Sequence, residues 1–206
     1  MTKRLFDLTI SIILIVIVLP LLIVIAIAVK VTSRGDVLYR GLRVGLNNKG
    51  FYIFKYRSMV LNAESKGGYS TAMDDQRLTK IGRILRRYKL DELPQLINVV
   101  CGEMSLVGPR PQVFYYTDKY KGDQKLILSV KPGITDFASL YFSDMDLILG
   151  QRNVDKKYED EIEPLKNILR LRYVKERTFF LDMRILIETA FTIIGIKNVT
   201  GLDLSP

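Results

Sequence analysis

Histidine is absent from all 206 residues, and that absence excludes more chemistry than any other feature of the composition. Without an imidazole there is no Ser-His-Asp triad, no histidine general base and no ordinary zinc site. A single cysteine, Cys101, rules out a disulfide within the chain and fits a reducing compartment. It follows a short apolar run and is expected to pack there as a small hydrophobe. Tryptophan is missing too. Acidic residues are in deficit, with 31 Lys and Arg against 22 Asp and Glu, a net charge of +9. Such an excess suits an anionic partner: nucleic acid, acidic lipid head groups or a phosphorylated substrate. Acid–base or nucleophilic work is left to carboxylates, Lys, Tyr, Ser, Thr or the lone thiol.

Only one long apolar run is present. Residues 8–29 are apolar apart from Thr9, Ser11 and Pro20, and as a helix they would measure about 33 Å, enough to cross a bilayer. A straight span is one reading. A signal peptide is another, with Ala26-Ile27-Ala28 resembling a cleavage site, but the run is too long for a typical signal core. Pro20 sits mid-run, where its ring deletes a backbone hydrogen bond and bends a helix. Both flanks are basic: Lys3 and Arg4 before the run, Lys30, Arg34, Arg40 and Arg43 after it. The positive-inside rule then assigns both ends to the cytoplasm. A re-entrant helix–break–helix over residues 1–31, dipping into one leaflet, satisfies bend and charge together.

Residues 32–206 show no second long apolar run, no repeats and no low-complexity linker, so they read as one compact domain. Stretches 37–44 and 51–58 have strand character, with Asn47-Asn48-Lys49-Gly50 as the hairpin turn between them. Alternation puts Phe51, Ile53, Lys55 and Arg57 on one face, where the two cations either grip a diphosphate or simply face water. Residues 62–71, with Gly67-Gly68, read as a flexible loop. Residues 79–90 predict a basic amphipathic helix, with Leu78, Ile81, Ile84, Leu85 and Tyr88 on the apolar side and Arg83, Arg86 and Arg87 opposite. A short helix follows over 93–100 and stops at Gly102. Gly108-Pro109-Arg110-Pro111 holds a lone Arg between prolines, and the run 131–135 reads as a second turn. Stretches 155–167 and 168–176 predict surface helices. A last helix over 179–194 carries Asp182, with Phe179, Met183, Leu186, Ile187, Ala190 and Ile194 on its apolar stripe. The expected fold class is α+β and helix-rich: one membrane-associated domain with the Pro-broken segment, a short β-hairpin and amphipathic interfacial helices.

Leu90-Asp91-Glu92-Leu93-Pro94-Gln95 carries the chemistry. Two adjacent carboxylates precede a proline suited to the first turn of a helix, beside free backbone N–H groups where a phosphate is welcome. Neighbouring acids repel unless a cation sits between them, which makes Mg2+ a natural companion. The plainer reading is that Asp91 is an N-cap and Glu92 first-turn decoration.

Four motifs in order, Lys55-Tyr56-Arg57-Ser58-Met59, Leu90-Asp91-Glu92-Leu93-Pro94-Gln95, Gly108-Pro109-Arg110-Pro111 and Pro132-Gly133-Ile134-Thr135, resemble the bacterial sugar transferases known as small monotopic phosphoglycosyl transferases. The Pro-broken segment corresponds to that family's re-entrant membrane helix, and the resemblance covers nearly the whole chain. It implies that Asp91 attacks the sugar-bearing phosphorus of a UDP-sugar, releasing UMP and leaving a phosphosugar on the carboxylate. The phosphate of a polyprenyl (undecaprenyl-type) carrier then takes up that group. It implies that Glu92, with Asp91, holds Mg2+, and that Arg110 clamps phosphate oxygens. Lys55, Arg57 and Arg86 come next as phosphate contacts, then Asp182 as a polar participant; for each the alternative is a structural ion pair. The expected partners are a UDP-sugar, polyprenyl phosphate and inner-membrane lipids at the cytoplasmic face, with no nucleic acid.

Two departures matter. Asp136-Phe137-Ala138-Ser139-Leu140 stands where the family often has Gly and then Ala-Gln-Val, and no Gly-Arg pair follows, so sugar identity does not carry over. Leu19-Pro20 replaces the Ser-Pro often seen at the membrane break. The rival functions are a membrane-tethered basic protein that binds anionic lipid or nucleic acid without catalysis, and an aspartyl-phosphate hydrolase that uses water as acceptor.

Overall fold

The structure, a computed structural model, describes residues 2–63, 75–143 and 154–205. The glycine-rich loop expected at 62–71 lies almost wholly outside these residues. The chain begins with α1 (Thr2–Thr32), a single helix with Pro20 inside it. The break expected within residues 1–31 is therefore not a gap between two helices; the proline removes one backbone donor from a continuous element.

Both ends of α1 rest on the same body. At its start Lys3 pairs with Asp182, the Arg4 guanidinium donates to the carbonyls of Val99 and Val100, and Asp7 accepts from the Ser105 hydroxyl at 2.7 Å. Phe6, Ile10 and Ile15 pack against the main core. Near its end Ile25 and Val29 join Tyr56 and Leu85 in a second cluster, and the Tyr56 hydroxyl donates to the Leu22 carbonyl at 2.7 Å. Between these anchors Ile12, Ile13, Val16, Ile17, Leu19, Ile23, Val24 and Ile27 are exposed, an apolar face that none of the described residues covers.

Strands β1 (Leu38–Val44) and β2 (Gly50–Tyr56) form the predicted antiparallel hairpin, Leu38 opposite Tyr56 and Val44 opposite Gly50. Its turn puts Asn47 and Asn48 at φ 55° and 60°, the left-handed pair that matches the twist of a hairpin. Helix α2 (Lys80–Arg87) is capped by Thr79, whose hydroxyl accepts from the Gly82 amide at 2.9 Å. Its inward face differs from the one predicted. Gly82 and Leu85 are buried, whereas Ile84 and Tyr88 are exposed and Arg86 turns inward to donate to Ser58. The contact at Gly82 decides that rotation: a Cβ there would lie 1.8 Å from the Ser58 carbonyl oxygen.

Helix α3 (Gln95–Cys101) ends at Gly102, φ 87°, as expected of a helix stop. Cys101 is exposed at its end instead of packed, because the buried face of α3 is Leu96, Asn98 and Val99. The run around 131–135 is not a turn. Gly133–Thr135 is a strand, β4, pairing parallel with β3 (Ser105–Val107). Two glycines permit this: a Cβ on Gly133 would meet the Gly108 amide nitrogen at 2.0 Å. A short helix α4 (Phe114–Thr117) precedes β4, and α5 (Phe137–Tyr141) follows it.

The last helices invert the usual pattern. After α6 (Val154–Lys157) and a π-helical turn (Tyr158–Ile162), α7 (Glu163–Glu176) buries Glu163, Lys166, Asn167, Arg170 and Tyr173, so it is not the surface helix predicted. Helix α8 (Phe179–Ile193) buries Asp182, Ile185 and Glu188 while exposing Phe179, Phe180, Ile187, Phe191 and Ile193. Part of its predicted apolar stripe thus faces outward. Phe179 meets Phe6 of α1 edge to face at 5.2 Å, which joins the starts of the two helices.

Replacing Gly82 with Ala drives a methyl group into a main-chain oxygen that cannot swing away. We expect a loss of about 2 kcal/mol or more in unfolding free energy, read as a lowered thermal midpoint in detergent; an unchanged midpoint would mean that α2 does not dock on Ser58.

Candidate active site

The dyad lies in a 3-10 turn (Leu90–Glu92), not in the first turn of a helix, and α3 begins three residues after Glu92. Lys89 at φ 56° ends the run of α2 and reverses the chain, so that Asp91 enters the interior. Neither carboxylate caps a helix.

Three segments converge on Glu92. Lys55 from β2 donates to Oε1 at 2.7 Å. Arg110, on the loop after β3, places one nitrogen 3.0 Å from Oε2 and another against Oε1, a two-pronged fork on one carboxylate. Burial acts to raise the Glu92 pKa, but Arg110 and Lys55 outweigh it and hold the carboxyl well below its ordinary range. Lys55 is itself lowered, chiefly by burial, against the opposing pull of Glu92.

Asp91 is in the opposite condition. It is only 4% exposed, and among the described residues none hydrogen-bonds to its carboxylate. Burial raises its pKa and Glu92 adds to the rise, while Lys55, Arg86 and Arg110 oppose it without cancelling it. One acid is thus tightly compensated while its neighbour, among the described residues, accepts no hydrogen bond and has a raised pKa, the kind of divergence that lets paired carboxylates differ in role.

The expected residues do not all meet here. Lys55, Arg110 and the dyad come together, and Arg86 lies within electrostatic reach of Asp91 while donating to the Ser58 hydroxyl at 3.1 Å. Arg57 does not join them. It is buried at the far end of α1, donating to the carbonyl and hydroxyl of Ser33 at 2.8 and 2.7 Å. Asp182 is also elsewhere, accepting from Lys3 and, at 2.8 Å, from the Tyr173 hydroxyl. Pro20 lies in the membrane-type helix, apart from both groups.

Sequence reasoning missed several supports. Asn98, fully buried in α3, accepts from the Phe54 amide at 2.9 Å and donates to the Tyr52 carbonyl at 2.8 Å, fixing the dyad segment against the strand that bears Lys55. A lone Asn among apolar helix neighbours was the available signal. Arg4, read only as flank charge, binds the carbonyls at the end of that same helix. Behind Arg110, Gln112 reaches Glu163 and Tyr158 at 3.4 and 3.3 Å, and Glu163 pairs with the fully buried Arg170 at 2.8 Å. Lys166 in the same layer is pushed down to about 7 by burial, with Arg170 and Arg110 adding to the effect.

Among the described residues no three His, Cys, Asp or Glu side chains stand close enough to cage a metal ion. Mg2+ commonly takes only one or two carboxylates and completes its shell with water and substrate phosphates; Asp91 and Glu92 would be the residues to hold it, Glu92 giving up part of its bonding to Lys55 and Arg110.

Residues 1–195 match the family described as bacterial sugar transferase. The chain belongs to that family. It is 37% identical over 189 residues to the sugar transferase EpsL of Bacillus subtilis (strain 168), covering 91% of this chain and 84% of that protein. It is 36% identical over 192 residues to a UDP-glucose:undecaprenyl-phosphate glucose-1-phosphate transferase of Klebsiella pneumoniae, covering 92% of this chain and 39% of that one. An undecaprenyl-phosphate glucose phosphotransferase of Komagataeibacter xylinus is 38% identical over 199 residues, with 92% and 35% covered. The chain therefore spans well under half the length of these last two relatives.

The Asp91 environment carries a cost to stability. A carboxyl whose folded-state pKa lies above its unfolded value destabilises the fold when ionised, and the cost vanishes only as pH falls below the unfolded value. Asp91→Asn removes that charge, so we expect a higher thermal midpoint than wild type near neutral pH; a lower midpoint would mean that Asp91 is a net stabilising ion-pair member.

Proposed function

We propose that this protein transfers a sugar 1-phosphate from a UDP-sugar to a polyprenyl phosphate at the cytoplasmic face of the bacterial inner membrane. The observation that carries this reading is the asymmetric dyad: Asp91 buried and, among the described residues, without a hydrogen bond to its carboxylate, beside a Glu92 neutralised by Lys55 and Arg110. Burial that penalises the ionised form makes a carboxylate a stronger base and nucleophile.

In the first half-reaction an Asp91 oxygen attacks the phosphorus that bears the sugar. The Asp91 O–P bond forms, the bond to the bridging oxygen breaks, and UMP leaves with the electron pair. In the second, a phosphate oxygen of the polyprenyl carrier attacks the same phosphorus and Asp91 is released as carboxylate. The products are UMP and a polyprenyl diphosphate sugar. Lys55 and Arg110 present donors for the diphosphate oxygens, and Arg86 adds positive charge beside Asp91. With three cations around two carboxylates, the cluster keeps a positive excess for an anionic donor. Mg2+, held by Asp91 and Glu92, supplies further neutralisation of the diphosphate when bound.

A membrane setting is supported by α1 and α8. A helix bonded to one body near its start, at Leu22 and through Ser33 just past its end cannot have that body on opposite sides of a bilayer, which favours a re-entrant, monotopic arrangement over a span. The exposed apolar faces of α1 and α8, whose starts meet at Phe6 and Phe179, would then share the lipid side.

The test is a panel of UDP-sugars with undecaprenyl phosphate, following UMP and lipid-linked product. We expect both to form with at least one sugar and both to be lost in Asp91→Asn. UMP without lipid product would indicate transfer to water, and no UMP from any donor would leave a membrane-bound binding protein.

A further inference from the structure

Arg110 must hold its fork on the dyad, and later on a diphosphate, from a segment with little means of bonding itself in place. Pro109 and Pro111 have no N–H, so the Arg110 amide is the sole backbone donor in residues 109–111. That amide donates to Oδ2 of Asp136 at 3.1 Å. The other oxygen, Oδ1, accepts from the Ser139 amide at 2.7 Å and caps α5. Asp136 is fully buried and fully extended, φ −160°, immediately after β4. The strand pair sets its approach: the Gly108 amide donates to the Thr135 carbonyl and the Gly133 amide to the Pro109 carbonyl, each at 3.0 Å. One carboxylate thus joins the start of α5 to the pivot of the Arg110 side chain, and a charged acceptor makes both bonds stronger than neutral ones.

We infer that Asp136 is a positioning residue for Arg110, fixing the backbone from which the guanidinium reaches Glu92 and the donor phosphates. The inference rests on the phosphate-binding role proposed for Arg110. It adds a residue that touches neither the dyad nor substrate, and it gives a task to the position where the sequence leaves its family's pattern. Displacement of a catalytic group by about 1 Å can cost about a hundredfold in rate, so an unanchored pivot should be visible in kinetics.

The test must separate the bond to Arg110 from the cap on α5. Asp136→Ser keeps a short cap acceptor for α5 but cannot also reach the Arg110 amide; Asp136→Ala loses both. Full-length variants would be assayed in detergent with undecaprenyl phosphate and the most active UDP-sugar of the panel, and as a cycle with Arg110→Ala. Amide hydrogen exchange of the peptide spanning Arg110 gives a readout that needs no turnover. We expect Asp136→Ser to melt near wild type, to exchange faster at Arg110, and to lose about 10- to 100-fold in kcat/KM. In the Arg110→Ala background it should cost little more, because the group it positions is gone. A wild-type rate, or a loss that multiplies fully with Arg110→Ala, overturns the inference while leaving the Arg110 role intact. If Arg110→Ala alone leaves kcat/KM unchanged, the phosphate role falls and this inference with it.

Discussion

One ionised carboxylate, Glu92, shared by Lys55 and Arg110, is the constraint around which the molecule is arranged. Glu92 sits on a 3-10 turn, and its two partners come from a hairpin strand and a proline-bounded loop. A buried carboxylate between two cations tolerates little error, since removing either partner leaves uncompensated charge in a low dielectric. The rest of the domain can be understood as what keeps those three segments in register. Asn98 ties the dyad segment to β2, the β3–β4 pair with its close glycines carries Arg110, and the charged layer of α7 backs that loop.

The same constraint bears on the long apolar helix α1, which is bonded into the body that carries the dyad. Arg4 bonds the carbonyls at the end of α3, and Asp7 bonds Ser105 at the start of β3. Those two elements hold the dyad and Arg110. Any shift of α1 is therefore felt at both halves of the site. The second anchor, Arg57 to Ser33, explains why that arginine is used structurally: it closes the other end of α1 onto β2.

How much was legible follows from how local each signal is. The hairpin and its turn, the helix stop at Gly102 and the adjacent acids are set by near neighbours, and the structure keeps them. Lys55 and Arg110 were legible as candidates, although only the fold shows them meeting on one carboxylate. The direction in which a periodic helix faces was not legible. Period 3.6 reveals a stripe but not whether water, lipid or protein covers it, so the direction of the α8 stripe stayed open and the charged stripe of α7 was read as solvated. The strand at Gly133–Thr135 was hidden because its partner lies far upstream and its glycines look like turn residues. Asn98 and Asp136 each act through bonds to remote backbone, which spacing does not encode.

The central claim is that Asp91 carries the sugar phosphate between donor and acceptor. Peptide mass spectrometry of enzyme quenched with a UDP-sugar in the absence of lipid acceptor tests it most directly. The account predicts a sugar-phosphate mass increment on the Asp91 carboxylate that disappears when polyprenyl phosphate is added. An active enzyme whose Asp91 stays unmodified throughout, or an increment on Glu92 instead, would contradict it.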